Sequence, residues 1–149
     1  MTADRDGGNA IIEFVFAAVI VLVPLVYFVV AIAQIQRGEL AVSDAAREAG
    51  RAFATGESTS DGLNRALVAA RLALADQGIA GRPALAFVAA GAGCRAAPVT
   101  PELIPGAEFT ICVTRTVRFP GIPSVLAGGA VRTVGEYVVH VDDYRTVKP

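Results

Sequence analysis

The hydrophobic pattern opens with an unbroken block and only later becomes periodic. From Phe14 to Ala33 no position carries a charge or a strongly polar side chain. A bilayer core about 30 Å thick takes roughly 20 apolar residues at about 1.5 Å of helical rise each, and this run supplies them. Beyond it, Ile35, Val42, Ala46, Ala49 and Phe53 recur at spacings of three, four and seven, which is one face of a helix. Arg37, Glu39, Asp44, Arg47, Glu48 and Arg51 fall mostly around the rest of it. The pattern predicts one helix from about Ala10 to Ala54, roughly 65–70 Å long, with 9–33 as a transmembrane segment and 34–55 as a helical stalk. Pro24 lies inside the apolar run, where a membrane helix tolerates the lost hydrogen bond and the usual kink.

The remainder, 56–149, reads as a small α+β domain. Gly56 to Ser60 is a turn, and Ser58 or Ser60 is an N-cap for a second, short helix over about Asp61–Gln77, stopped by Gly78. Its expected buried stripe is Leu63, Leu67, Ala70 and Leu74, with Arg65 and Arg71 solvated. After Gly81-Arg82-Pro83 the period changes. Ala84–Ala89 is a short apolar run that suits a buried strand, and Ala90–Gly106 is a Gly/Pro-rich loop. Phe109, Ile111, Val113, Arg115 and Val117 then alternate with Thr110, Cys112, Thr114, Thr116 and Arg118, a period-2 strand. The prolines of Phe119–Gly129 exclude a central strand there. A last strand over about Val131–Val141 places Val131, Thr133, Tyr137, Val139 and Val141 on one face. The expected domain is one helix on a small, three-stranded, mostly antiparallel sheet.

Composition sharpens this picture. The chain is 54% hydrophobic with a mean hydropathy of +0.53, and most of the excess lies in the one run. Net charge is −1, and no Lys/Arg cluster lies outside the helix that follows the run, so the footprint of a nucleic-acid binder is missing. Lys148 is the only lysine among 13 basic residues, a usage that fits a GC-rich bacterial genome. A cleaved signal peptide competes for the apolar run, since Ala31-Ile32-Ala33 offers a small-x-small site. Signal cores span about 7–15 residues behind a basic start, whereas this run is longer and its leader holds Asp4 and Asp6 against Arg5.

Candidate chemistry is sparse. Cys94 and Cys112 both follow the membrane segment and read as one disulfide of an extracytoplasmic domain. Two buried free thiols are the alternative, and a metal site would have only His140 to join them. His140 shares a strand face with Arg132, Glu136 and Asp142, which fits a solvated partner better than a catalytic base. No G-x-S-x-G elbow is present, and Gly91-Ala92-Gly93 is a lone G-x-G without a phosphate-loop context. These observations predict neither an enzyme, nor a cofactor, nor a small-molecule substrate.

The most informative constellation is Gly7-Gly8-Asn9-Ala10-Ile11-Ile12-Glu13-Phe14 at the head of the apolar run. A carboxylate at the edge of a hydrocarbon segment costs up to a few kcal/mol and calls for a partner, or else it snorkels or protonates. Glycine, four residues, then Glu-Phe resembles a class III (type IV-like) prepilin signal. That resemblance implies cutting by a prepilin peptidase between Gly8 and Asn9, so that 1–8 is a cytoplasmic leader. The new α-amine of Asn9 would pair with Glu13 of its own helix or of a neighbouring subunit, with Phe14 beside it.

Within pilin-like proteins the chain resembles the TadE-like family of the tight-adherence (Tad/Flp) systems. Three stretches carry this: Ala10–Phe14 with Pro24 in the span, Ser43–Arg51 with its Ala-Ala-Arg, and the Thr/Val-rich strands bracketing Pro120–Gly129. The resemblance implies a minor pilin or pseudopilin, with other pilin subunits and Tad inner-membrane assembly proteins as partners. Small residues Ala17, Ala18, Ala31, Ala33, Ala41 and Ala45 would allow close helix approach in a fibre core, and they suit a lipid-facing helix equally. Arg37, Arg47 and Arg51 after the span outnumber Arg5 before it, so a bare positive-inside count favours the reverse orientation. The disulfide and the resemblance both place the C-terminal domain outside. Two rival classes remain, a secreted binding module released after Ala33 and an anchored accessory protein that is never processed. The mature N-terminus, at Asn9, Gln34 or Met1, separates the three.

Overall fold

The computed structural model describes residues 7–118 and 130–146. The leader residues 1–6 and the Pro/Gly segment 119–129, including Pro120–Gly129, lie outside them. The elements are α1 (Gly7–Ala54), α2 (Thr59–Asp76), β1 (Ala84–Ala89), β2 (Glu108–Arg118) and β3 (Ala130–His140). The chain divides into two compact units, 1–34 and 35–149.

α1 begins three residues before the expected start and ends where expected. Its last turn leaves carbonyls without an intrahelical donor. Thr55 Oγ1 takes one, donating to Ala52 O at 3.0 Å. Arg145, from the C-terminal segment, donates to Ala54 O at 2.7 Å and also to Gly56 O. A cation at a helix C-terminus is favourable for the macrodipole as well.

Ser58 caps α2, accepting from the Asp61 N–H at 3.2 Å. At the other end, Gly78 adopts φ +73°, while the Gly78 and Ile79 N–H groups donate to Ala75 O and Leu74 O. This is the Schellman stop, which needs a left-handed residue that glycine supplies without strain.

The sheet has the order β1-β2-β3 and is antiparallel throughout. Phe109, Ile111 and Val113 of β2 face the helices together with Phe87 of β1 and Val139 of β3, and all are buried. Phe53 of α1 completes the core. Its ring lies 5.2 Å from both Phe87 and Phe109, which are themselves 5.7 Å apart. Tilted and edge-on pairs of this kind add about 0.5–1.5 kcal/mol each beyond area burial.

Two parts of the domain differ from the sequence expectation. First, the segment read as a stalk, including Ala41 and Ala45, packs its apolar stripe on the sheet. Ala41, Val42, Ala45, Ala46, Ala49 and Phe53 are fully buried, so the sheet packs against α1 as well as α2. Two glycines allow the close approach: a Cβ on Gly135 of β3 would collide with the Val42 carbonyl, and one on Gly50 of α1 would lie 2.6 Å from the Tyr137 ring. Second, the buried stripe of α2 is Gly62, Ala66, Ala70 and Leu74, one residue round from the expected one at its start. Leu63 is exposed and Leu67 half-buried. Small size decides it, since a Cβ on Gly62 would sit 2.9 Å from Phe53 O. Only a helix face without bulk fits there.

Candidate functional site

The candidate sites fall in two places, and each is built differently. The first is the N-terminal half of α1. Among the described residues one helix, spanning Ala10–Ala54, is long and apolar enough to cross a membrane, and its most apolar stretch has nothing buried. Phe14, Phe16, Leu22 and Phe28 are more than half exposed, in company with the valines and isoleucines around them. A helix apolar all round has no solvated face, which is the pattern of a membrane span. Gly8 and Asn9 lie in its first turn, and Glu13 stands one turn beyond position 9. Glu13 and Phe14 are both exposed. All four predicted residues thus sit on one continuous helical stretch, and Glu13 is the last charged position before Arg37.

The second place is the outer face of the sheet, away from the helices. Cys94 and Cys112 are joined as a disulfide, with Cα atoms 5.7 Å apart. The bond ties the loop after β1 to the middle of β2. Val88 bridges Pro98, and Val99 N–H donates to Phe87 O at 2.8 Å. Gly91 N–H donates to Thr110 Oγ1 at 3.2 Å. The loop therefore covers part of a face that alternation alone would leave wet. Thr110 and Cys112 are buried for that reason, at 2% exposure each.

Beside this loop lies an open cleft of about 320 Å³ lined by Ser43 and Arg47 of α1, Gly91 and Ala92, Thr110, and Glu136 to Val138 of β3. It offers one cation, one carboxylate and several hydroxyls, but no histidine or free thiol among its lining residues. His140 lies elsewhere, opposite Glu108 in the β2–β3 register. Its Nδ1 is 3.1 Å from Glu108 Oε1, and its Nε2 is 3.5 Å from Asp143 Oδ2. The Glu108 hydrogen bond, helped by Asp143, raises the imidazole pKa. Its partners are thus a cross-strand glutamate and a residue just past the strand, not Arg132, Glu136 or Asp142 on its own strand face. At the α2 N-terminus Asp61 accepts from the Glu57 N–H and pairs with Arg65 at 2.7 Å; the backbone bond, with the arginine's aid, lowers its pKa. Among the described residues no group of three or more His, Cys, Asp or Glu is arranged to hold a metal.

Sequence reasoning missed Arg145 at the end of α1 and Glu108 beside His140. Both are contacts across long sequence separations, and only the register of β2 on β3 announces the second. Comparison with protein-family models, with curated proteins and with solved structures finds no match to this chain.

Proposed function

We propose that this chain is a TadE-like minor pilin or pseudopilin, a structural and assembly subunit of a Tad/Flp-type pilus. The observation that carries this reading is the spacing of Gly8 from Glu13-Phe14 at the head of an apolar helix. A prepilin peptidase cuts after Gly8, and the mature chain starts at Asn9. The N-terminus is cytoplasmic and the 35–149 domain lies outside, where an oxidising compartment maintains the Cys94–Cys112 bond. Glu13 offers its carboxylate to an α-amine, an arrangement that matters because an unpaired charge in low dielectric costs several kcal/mol. The protein's work is assembly with other pilin subunits and inner-membrane Tad proteins, not catalysis.

The test is the N-terminus of the protein isolated from cells with an active prepilin peptidase. The expected start is Asn9, and Gly8→Leu blocks processing because the peptidase must accommodate backbone nearly free of side chain. Glu13→Ala leaves membrane insertion intact but lowers recovery in sheared pili at equal membrane levels. Wild-type piliation by Glu13→Ala would show that the carboxylate only snorkels.

One observation favours a second reading. The compact C-terminal unit begins at Ile35, two residues past Ala33 of the Ala31-Ile32-Ala33 small-x-small site. A secreted binding module cut there would start at Gln34. That mature terminus would replace the pilin reading, and a start at Met1 would make the chain an unprocessed anchored accessory protein.

A further inference from the structure

Within the 35–149 domain, α1 and β3 run in the same direction. Val42 and Ser43 backbone lies against Gly135, and Gly50 lies against Tyr137 and Val139. The residues at which the chain enters the domain, from Ile35 onward, therefore share an end with the start of β3, the end of β2 and the start of β1. That end collects arginines. Arg37 is on α1, Arg82 precedes β1, Arg115 is on β2 opposite Thr133, and Arg132 is on β3 opposite Thr116. Arg115 donates to Arg82 O at 3.3 Å and to Ala80 O, which holds the Arg82 turn at the same end.

Arg37, Arg82 and Arg132 are exposed. The acids nearest this end are Glu39 of α1 and Asp76 of α2, with Asp44 of α1 and Glu136 of β3 farther along the same elements. Among the described residues, none of the four arginines has a carboxylate within the 4.0 Å of an ion pair, whereas Arg51 and Arg65 elsewhere do. The opposite end carries Glu57, Asp61, Glu102, Glu108, Asp142 and Asp143 together with Arg51, Arg65 and Arg145, so acids outnumber arginines there while arginines outnumber acids at the entry end. Clustered cations without counter-charges repel one another, and an anionic surface removes that repulsion. Guanidinium is also the side chain best shaped for two-point contact with phosphate. Arg37 follows Ala33, the last residue of the apolar run, by about 6 Å of helical rise.

We propose that this arginine end is a contact surface for anionic lipid headgroups, seating the domain on the bilayer that anchors it. The proposal rests on the membrane-anchored reading but not on the pilus reading or on which leaflet is met. A basic residue near an anionic surface changes its occupancy about fivefold at moderate ionic strength, and the contact weakens as salt screens it.

The test uses the full chain, labelled with ¹³C at the arginine guanidinium carbon and reconstituted in two kinds of vesicle. One is phosphatidylcholine alone; the other includes about a third phosphatidylglycerol to supply the anionic surface. Phosphorus-to-guanidinium dipolar recoupling reads the contact. The expected result is several-fold stronger recoupling in the anionic vesicles. Arg82→Gln with Arg132→Gln removes most of that gain, and Arg65→Gln on α2 leaves it in place. Equal recoupling in the two lipids, or a gain that survives the double variant, overturns the proposal. An alkaline wash of the same vesicles separates the two readings. Chain that stays in the bilayer without the lipid contrast refutes only the headgroup contact, whereas chain that washes off refutes membrane anchoring itself.

Discussion

Between Phe14 and Ala33, α1 carries Phe, Val, Leu and Ile around its whole circumference, and its most apolar stretch has nothing buried. Between Ala41 and Phe53 the same helix is half polar, yet its apolar stripe is wholly buried. The difference is one of size and sidedness more than of hydrophobicity. Alanines at 41, 45, 46 and 49 let the sheet approach to backbone contact at Gly135, and a single large ring, Phe53, fills the deep end. Large side chains on every face have no such solution, because one neighbouring layer covers only one side. The Ala41–Phe53 stripe suits a protein core, and the Phe14–Ala33 block is apolar enough to suit a membrane.

The sharpest way to break the contrast is at Phe53. Phe53→Ala should cost about 3–5 kcal/mol of domain stability, measured by urea unfolding in detergent. Phe28→Ala, in the apolar half, should leave that transition in place, since its ring is 64% exposed. Equal losses would mean that the span packs on the domain.

Gly135→Val tests the close approach. It drives a side chain into the Val42 carbonyl, and overpacking of this kind costs about 3 kcal/mol or more. Membrane retention should be unaffected, so denaturation and membrane fractionation should diverge.

A smaller loss, about 2–4 kcal/mol, is expected for Cys94→Ser, which frees the loop over the outer face. Alkylation of unreduced protein should meanwhile detect no thiol in the wild type. Arg145→Ala should cost about 1–2 kcal/mol, because two terminal carbonyls of the α1 end lose their donor.

The smallest effect concerns His140. Its imidazole should titrate above the ordinary 6.5, and Glu108→Gln should lower the midpoint seen by NMR. The sign follows from linkage. A raised folded pKa gives a contribution that is complete below the unfolded pKa and fades as pH rises through the folded one. The group is half exposed, so the change in stability is slight. A midpoint at or below 6.5 would mean that the two carboxylates do not hold the ring.

Most element positions were legible. Ala84–Ala89 as β1, the end of α1 at Ala54, the Ser58 cap and the Gly78 stop all follow from local chemistry. The disulfide was legible as an expectation because two cysteines in one small domain have few other uses. Less legible was which side of α2 is buried. Leucine was the natural choice for a core stripe, but Gly62 and Ala66 won because Phe53 leaves no room for more. The burial of Thr110 was not legible from alternation, since the cover on that face comes from a loop lacking any periodic signal.

By itself the sequence determined the apolar block, the order of helices and strands, the alternation that turns Ile111 and Val113 inward, and the constellation of Gly8, Asn9, Glu13 and Phe14. These depend on neighbours a few residues away, where helical and strand periods, caps and turns act. Only the tertiary structure decided that the apolar stripe of 41–53 is buried against the sheet, that Arg145 closes the end of α1, that Glu108 and Asp143 flank His140, and that arginines of α1, the Arg82 turn, β2 and β3 lie toward one end of the domain. Each of these joins residues far apart in the chain. Such pairings are set by packing volume and strand register, quantities that exist only once the helices and the sheet have come together.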